Sequence, residues 1–190
     1  MLELEKNFGL LRPVDFESKR ELEMILAWRN NPNVRANMFT NHEISWEEHL
    51  AWSEKTRASN DEVYFIYCLD DLPQGVVGFN KINLLNKNSF WAFYAAPDAK
   101  RGIGSKMEFL AIEYAFNILD LHKLSCEVLD FNMAVINLHK KFGFEIEGVF
   151  KENHMIKNQF FDVYRLAIFK STWNEKRELV SDRVVNFGRS

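Results

Sequence analysis

Apolar positions along the chain follow two rhythms, and the switches between them mark its elements. Between Ser18 and Arg29 they recur every three or four residues, with Leu22, Ile25, Leu26 and Arg29 on one side, which predicts a helix. Asn30-Asn31-Pro32-Asn33 stops it. Ser45-Trp46-Glu47-Glu48 is a capping box: the Ser45 hydroxyl accepts from the third helical N–H and Glu48 returns the bond, opening a second helix that runs to Arg57. The rhythm then becomes strand-like. Apolar runs at Val63–Leu69 and Val76–Leu84 flank a turn over Asp70–Gly75 and predict a hairpin, and Asn86-Lys87-Asn88 turns into a strand over Phe90–Ala96. An earlier strand is expected at Phe8–Val14.

Helical spacing returns at Ile103, Met107, Leu110, Ala111, Tyr114, Ala115 and Ile118, a stripe that packs a long helix on the sheet. Lys123–Val128 is the next strand. The intervening helix makes it parallel to Phe90–Ala96 through a right-handed crossover. Strands at Phe144–Phe150 and Phe160–Phe169 complete the run, and the polar tail from Ser171 frays or docks as a helix.

Between the Phe90–Ala96 strand and the long helix lies Pro97, then Lys100-Arg101-Gly102-Ile103-Gly104-Ser105. Two glycines let the backbone turn without a Cβ in the way, so the free N–H groups of the first helical turn converge on an anion. Lys100 and Arg101 add full charges there. A second segment, Asn132 to Phe144, reads as a short helix closed by Gly143.

Composition narrows the class. With 190 residues, 47% hydrophobic and 14% aromatic, the chain can bury one good core and is expected to form one domain. A net charge of −3 gives no general nucleic-acid partner. Met1–Lys6 carries no signal pattern and no apolar run approaches the ~18 residues a membrane span needs, so a cytoplasmic protein without a membrane partner is expected. Cys68 and Cys126 sit in strand-like runs as reduced thiols and build neither a disulfide nor a zinc framework; no metal site is expected.

The order of elements, Gly102 and Gly104 in the loop, and Asn132, Leu138 and Lys141-Phe142-Gly143-Phe144 together resemble the GNAT acetyltransferases over Phe8 to Lys170. The loop departs from the family pattern at Ala99, where Gln or Arg is usual; Val135 takes a small-residue position, and His139 stands where tyrosine is usual. The resemblance implies an α+β (α/β) GNAT fold: a mixed, mostly antiparallel sheet of seven strands with a parallel, splayed pair in the centre and helices on both faces. The domain would cover 1–170, with 171–190 as a tail or short helix of the same domain. A narrower likeness rests on Trp28-Arg29-Asn30-Asn31-Pro32, Met38, Ile44, Glu48-His49-Leu50, Tyr64-Phe65-Ile66, Phe93-Tyr94-Ala95-Ala96-Pro97 and Tyr114-Ala115-Phe116. These resemble the N-acetyltransferases of pseudaminic acid synthesis, which acetylate the 4-amino group of UDP-4-amino-4,6-dideoxy-N-acetyl-β-L-altrosamine. Ribosomal-protein N-terminal acetyltransferases share part of the pattern. A non-catalytic acyl-coenzyme A sensor and a nucleotide-sugar binder without coenzyme A affinity are the rivals from other classes.

The family's co-substrate is acetyl-coenzyme A, and each part of it needs a different surface. Lys100, Arg101, Gly102, Ile103, Gly104 and Ser105 are expected to hold the pyrophosphate. Splayed strands at Tyr94, Ala95 and Ala96 would bond the pantetheine amides, with a bulge at Ala95-Ala96-Pro97 starting the splay. Asn132, Val135, Asn137 and Leu138 would flank it from the short helix. His139 is the candidate proton donor to sulfur, and Glu127 or His49 the candidate acceptor of the amine proton. A UDP-amino-sugar would be met by Arg29, Asn30, His49, Lys81 and Tyr94, with Arg35 as a further cation and Trp91 and Phe39 as walls. Against these stand plainer roles: Glu127 paired with a lysine, Arg29 capping its own helix, both histidines simply hydrogen-bonded. The chain is expected to be a monomer or homodimer, the latter through an exposed final strand.

Overall fold

The computed structural model describes residues 7–186; the reading of Met1–Lys6 and the last four positions lie outside them. Seven strands form one sheet in the order β1-β2-β3-β4-β5-β7-β6. They are β1 (Leu10–Pro13), β2 (Val63–Leu69), β3 (Leu72–Asn83), β4 (Asn88–Ala95), β5 (Lys123–Leu129), β6 (Glu145–Ile156) and β7 (Gln159–Phe169). All neighbours are antiparallel except β4 and β5. The expected mixed sheet with a central parallel pair is therefore observed.

Two turns are tighter than the sequence predicts. Asp70 and Asp71 both take positive φ, 52° and 61°, so Leu69 pairs Leu72 across a two-residue loop and Pro73 and Gly75 belong to β3. Positive φ at both central positions matches the twist of a hairpin, whereas a two-residue turn of type I or II would splay it. Pro73 is tolerated because the register shifts at its partner, between Tyr67 and Cys68. Lys157 and Asn158, with φ of 48° and 64°, do the same between β6 and β7 and lengthen both strands toward that turn.

Helices cover both faces. On one lie α1 (Lys19–Asn30), the short α2 (Pro32–Arg35) that follows directly on the predicted stop, and α3 (Trp46–Ala58). Ser18 and Ser45 cap α1 and α3, accepting from Glu21 and Glu48 N–H. Under them Val14, Ile25, Ile66, Cys68 and Val76 form a small core beside Trp52, Tyr64 and Tyr94. On the other face lie α4 (Ile103–Glu113), α5 (Met133–Phe142) and α6 (Lys170–Asn186). The larger core sits there, including Phe79, Trp91, Met107, Phe109, Leu124 and Trp173. Alternation along β4 thus sends Trp91 and Phe93 to one core and Tyr94 to the other.

The polar tail docks as α6. Trp173 is fully buried and its Nε1 donates to Glu113 at 2.7 Å, while Arg177 binds both oxygens of the same carboxylate at 2.8 and 2.9 Å. α4 itself ends in a π-helical turn, Tyr114–Ile118.

Candidate active site

The parallel pair separates early. β4 and β5 are in register only at Asn88–Lys123, Ser89–Leu124 and Phe90–Ser125. Beyond that β4 stays paired to β3 as far as Ala95, and β5 to β7 as far as Leu129. The splay therefore begins after Phe90 and not at Ala95-Ala96-Pro97, where no register shift occurs and the Ala96 N–H is bonded to Gln74 O at 2.7 Å. Peptide groups of Trp91–Ala95 and Cys126–Leu129 that point away from β3 and β7 face a gap instead of a ladder. A cavity of about 280 Å³ occupies it, walled by Trp91–Ala95, Cys126–Val128, and Asn132, Val135 and His139 of α5. Asn33, Val34, Asn37, Met38 and Phe39 close its mouth.

At one end of the gap lies the glycine turn. Gly102 has φ +94°, a left-handed conformation that a Cβ would strain, and it is the N-cap of α4. Ile103 N–H bonds Lys100 O at 3.2 Å, and Ser105 and Lys106 N–H both return to Gly102 O at 3.1 and 3.3 Å. An anion at Ile103 or Ser105 N–H must therefore share these weak first-turn bonds, as forked bonds at helix termini allow. A cavity of about 470 Å³ opens here between Arg101, Gly102, Gly104 and Ser105 on one side, Leu138 and Lys141 on another, and Val180, Arg183 and Val184 of α6. Ile103 buries its side chain in the core, so only its backbone is on offer, and Lys100 is exposed outside this lining.

A third cavity, about 330 Å³, lies on the opposite face under α1 and α3, lined by Arg29, Thr40, Glu48, His49, Trp52, Tyr64 and Tyr94 among others. Tyr94 also lines the gap, so the two spaces share that residue. Arg29 donates from Nη2 to Thr40 O at 3.0 Å, but its Nη1 is buried without a partner, as is His49 Nε2. Burial lowers the affinity of both side chains for a proton; for His49 a hydrogen bond to the Leu22 backbone pulls weakly the other way. The His49 ring, whose neutral form burial favours, stacks on Trp52, 5.0 Å between ring centres. Burial likewise pushes the Tyr94 phenol up.

His139 is 2% exposed at the wall of the gap, and its Nδ1 lies 2.8 Å from Oε1 of the fully buried Glu108. Burial alone would lower the imidazole; the Glu108 carboxyl, with the neighbouring Cys126 thiol, overcomes that and holds it well above its ordinary value, while burial pushes Glu108 itself up. Glu127 also borders the gap, with its Oε1 accepting from Arg165 Nε at 3.0 Å and Nη2 at 2.8 Å. The ion pair is with an arginine across the β5–β7 ladder where a lysine was expected.

Other sequence candidates lie elsewhere. Asn30 spends its carboxamide on both backbone groups of Ile44, at 2.8 Å each, and serves as a clamp on the loop before α3. Asn137 is exposed and borders none of the three cavities; Lys81 is exposed too, its ammonium 5.1 Å from the Phe90 ring. Arg35 faces Glu43 at 3.8 Å. Glu108, Cys126, Trp52 and Arg183 were missed. Only Glu108 leaves a trace in the sequence, a carboxylate between Met107 and Phe109 in an apolar helix. Among the described residues there is no group of His, Cys, Asp and Glu able to hold a metal ion, and no helix long and apolar enough to cross a membrane.

A splayed parallel pair beside a glycine turn at a helix N-terminus is built to seat an extended, peptide-like arm ending in a diphosphate. Residues 10–145 match the family described as Acetyltransferase (GNAT) domain, and the chain belongs to it. It is an N-acetyltransferase of the GNAT type. The family's acyl donor is acetyl-coenzyme A, and the gap and turn fit its arm and diphosphate. Among characterised relatives, Acetyltransferase PseH of Campylobacter jejuni is 31% identical over 141 residues, which cover 74% of this chain and 83% of that protein. Spermidine N(1)-acetyltransferase of Escherichia coli is 26% identical over 161 residues, 84% of this chain and 85% of that one. The solved structure of spermidine N-acetyltransferase from Vibrio cholerae with CoA and spermine superposes with a TM-score of 0.79 at 26% identity, covering 87% of this chain and 97% of that one.

Proposed function

We propose that this chain transfers the acetyl group of acetyl-coenzyme A to the 4-amino group of a UDP-4-amino-4,6-dideoxy sugar, UDP-4-amino-4,6-dideoxy-N-acetyl-β-L-altrosamine, in pseudaminic acid biosynthesis that feeds flagellin glycosylation. The likeness to PseH supports the acceptor class. One observation carries it further: the cavity under α1 and α3 presents Arg29 Nη1 and His49 Nε2, both buried and unpartnered. Unsatisfied buried polar atoms are costly and favour a ligand that pairs them. A guanidinium suits a diphosphate oxygen, a neutral imidazole suits a sugar hydroxyl, and Trp52 and Tyr64 offer flat walls to a base. A polyamine would instead bring its positive charges against Arg29.

In this reading the glycine-turn amides, with Arg101, Lys141 and Arg183, hold the coenzyme A diphosphate, and the open edges of β4 and β5 bond its amide arm. His139 gives a proton to the departing sulfur. Glu127 or His49 receives the proton that the amine loses, directly or through water. The test offers the protein acetyl-coenzyme A with the UDP-4-amino-sugar, spermidine and a peptide N-terminus, and follows thiol release. Turnover on the sugar is expected. Turnover only on spermidine or the peptide would reject the acceptor.

A further inference from the structure

Glu108 has no evident place in the fold. It lies within a stretch of α4 where Met107, Phe109, Ala111 and Ile112 are fully buried, and it is 0% exposed itself. A lone carboxylate is strongly disfavoured in such surroundings. Among the described residues its one hydrogen-bond partner is His139 Nδ1 at 2.8 Å, reached from α5, and its Oε2 has none. A hydrophobic side chain would fill this site at less cost, so the carboxylate answers to the imidazole.

That imidazole is held on every side. Trp91 and Phe93 of β4 lie 5.4 and 6.1 Å from it between ring centres, and Phe144 lies 5.1 Å away. The titratable groups facing it are Glu108 from α4, which burial pushes up while the imidazole pulls it back down, and the Cys126 thiol from β5, which burial also pushes up. With Nδ1 taken by Glu108, the ring can exchange a proton with the cavity only through Nε2.

We propose that Glu108 is a positioning residue for acetyl transfer: by holding His139 Nδ1 from α4 it fixes the ring so that Nε2 is the nitrogen left to meet the gap and the departing sulfur. The assignment rests on His139 being the proton donor to sulfur. As the amine forms its bond to the carbonyl carbon, the carbon–sulfur bond breaks with the electron pair left on sulfur. The Nε2 proton then moves to sulfur, and the neutral imidazole stays bonded through Nδ1–H to the Glu108 carboxylate. Solvent returns the proton after the products leave, and the amine's own proton departs on the opposite face.

Two measurements test it. Histidine-selective NMR titration of the wild-type chain without coenzyme A reads the ring directly; His139 is expected to titrate well above the ordinary imidazole value. Titration at or below the ordinary ~6.5 overturns the proposal without any variant. In Glu108→Gln the donor falls to that ordinary range or lower. The ratio of variant to wild-type kcat then drops roughly 30-fold at pH 8 and approaches one near pH 6, with KM for acetyl-coenzyme A little changed. Glu108→Asp is expected to recover part of the loss. A ratio that does not vary with pH overturns the proposal too. An error in the acceptor would silence the rates but leave the titration intact, so the two failures are distinguishable.

Discussion

Replacing Arg29 by Met removes the buried guanidinium while keeping most of the aliphatic stem at the cavity wall it shares with Trp52 and Ile25. Two effects on folding oppose each other. The Nη2–Thr40 bond at 3.0 Å is lost, a net contribution of about 1 kcal/mol. Relief of a desolvated cation, whose proton affinity burial has already lowered, returns part of it. Stability should therefore shift by about 1 kcal/mol or less. Binding has no such offset: Nη1 has no protein partner, and a charge-assisted bond to an acceptor diphosphate contributes about 1.5–3 kcal/mol, or roughly 10- to 150-fold in KM. The assay varies the UDP-amino-sugar at saturating acetyl-coenzyme A and follows free thiol, with a thermal melt run alongside. KM for the sugar should rise by that factor, and KM for acetyl-coenzyme A, which the proposed function seats in the gap, should hold within about twofold. An unchanged sugar KM, or equal rises for both substrates, would refute the argument.

Two further substitutions probe what surrounds the site. Glu113→Ala leaves the buried Trp173 Nε1 without its acceptor and frees Arg177; a loss of about 1–3 kcal/mol should lower Tm by roughly 3–10 °C. Because α6 carries Arg183 and Val184 into the wall beside the glycine turn, calorimetry should also find weaker coenzyme A binding, and an unchanged Tm would count against the anchor. Asp120 is held down to about 2, first by its hydrogen bond with Lys170 and then by Lys87. A carboxyl lowered on folding stabilises above its unfolded value and loses that contribution as pH falls through the folded one. Wild type should thus outlast Asp120→Asn in urea at pH 6, with the difference closing as pH approaches 2; a constant difference would contradict the sign.

Elements were legible wherever neighbours in sequence carry the signal. β2 lies where its apolar run placed it, α1 and α3 begin at their serine caps, and α4 begins at the glycine turn. Turn residues were harder to read: Asp70-Asp71-Leu72-Pro73-Gln74-Gly75 carries enough breakers for a long loop, yet positive φ at the two aspartates closes it in two residues. The site residues divide by how they act. His139, Tyr94, Arg29 and His49 stand out as side chains suited to chemistry beside recognisable motifs, and each lines a cavity. Asn30 and Asn137 have the same polar character in the same motifs but point at Ile44 and at solvent. Only packing tells such pairs apart.

Periodicity, caps and the glycine pair are properties of consecutive residues, so the chain alone placed most strands and the longer helices, and showed that a glycine turn opens α4. Where the parallel strands part, and what lies behind His139, depended on contacts that no local pattern encodes. The separation begins after Phe90 because β4 stays with β3 and β5 with β7 while nothing joins them to each other. Glu108 meets His139 across 31 residues because two helices pack on the same face of the sheet. Desolvation and a 2.8 Å approach decide the charge of that pair, and both arise only when the core closes around it.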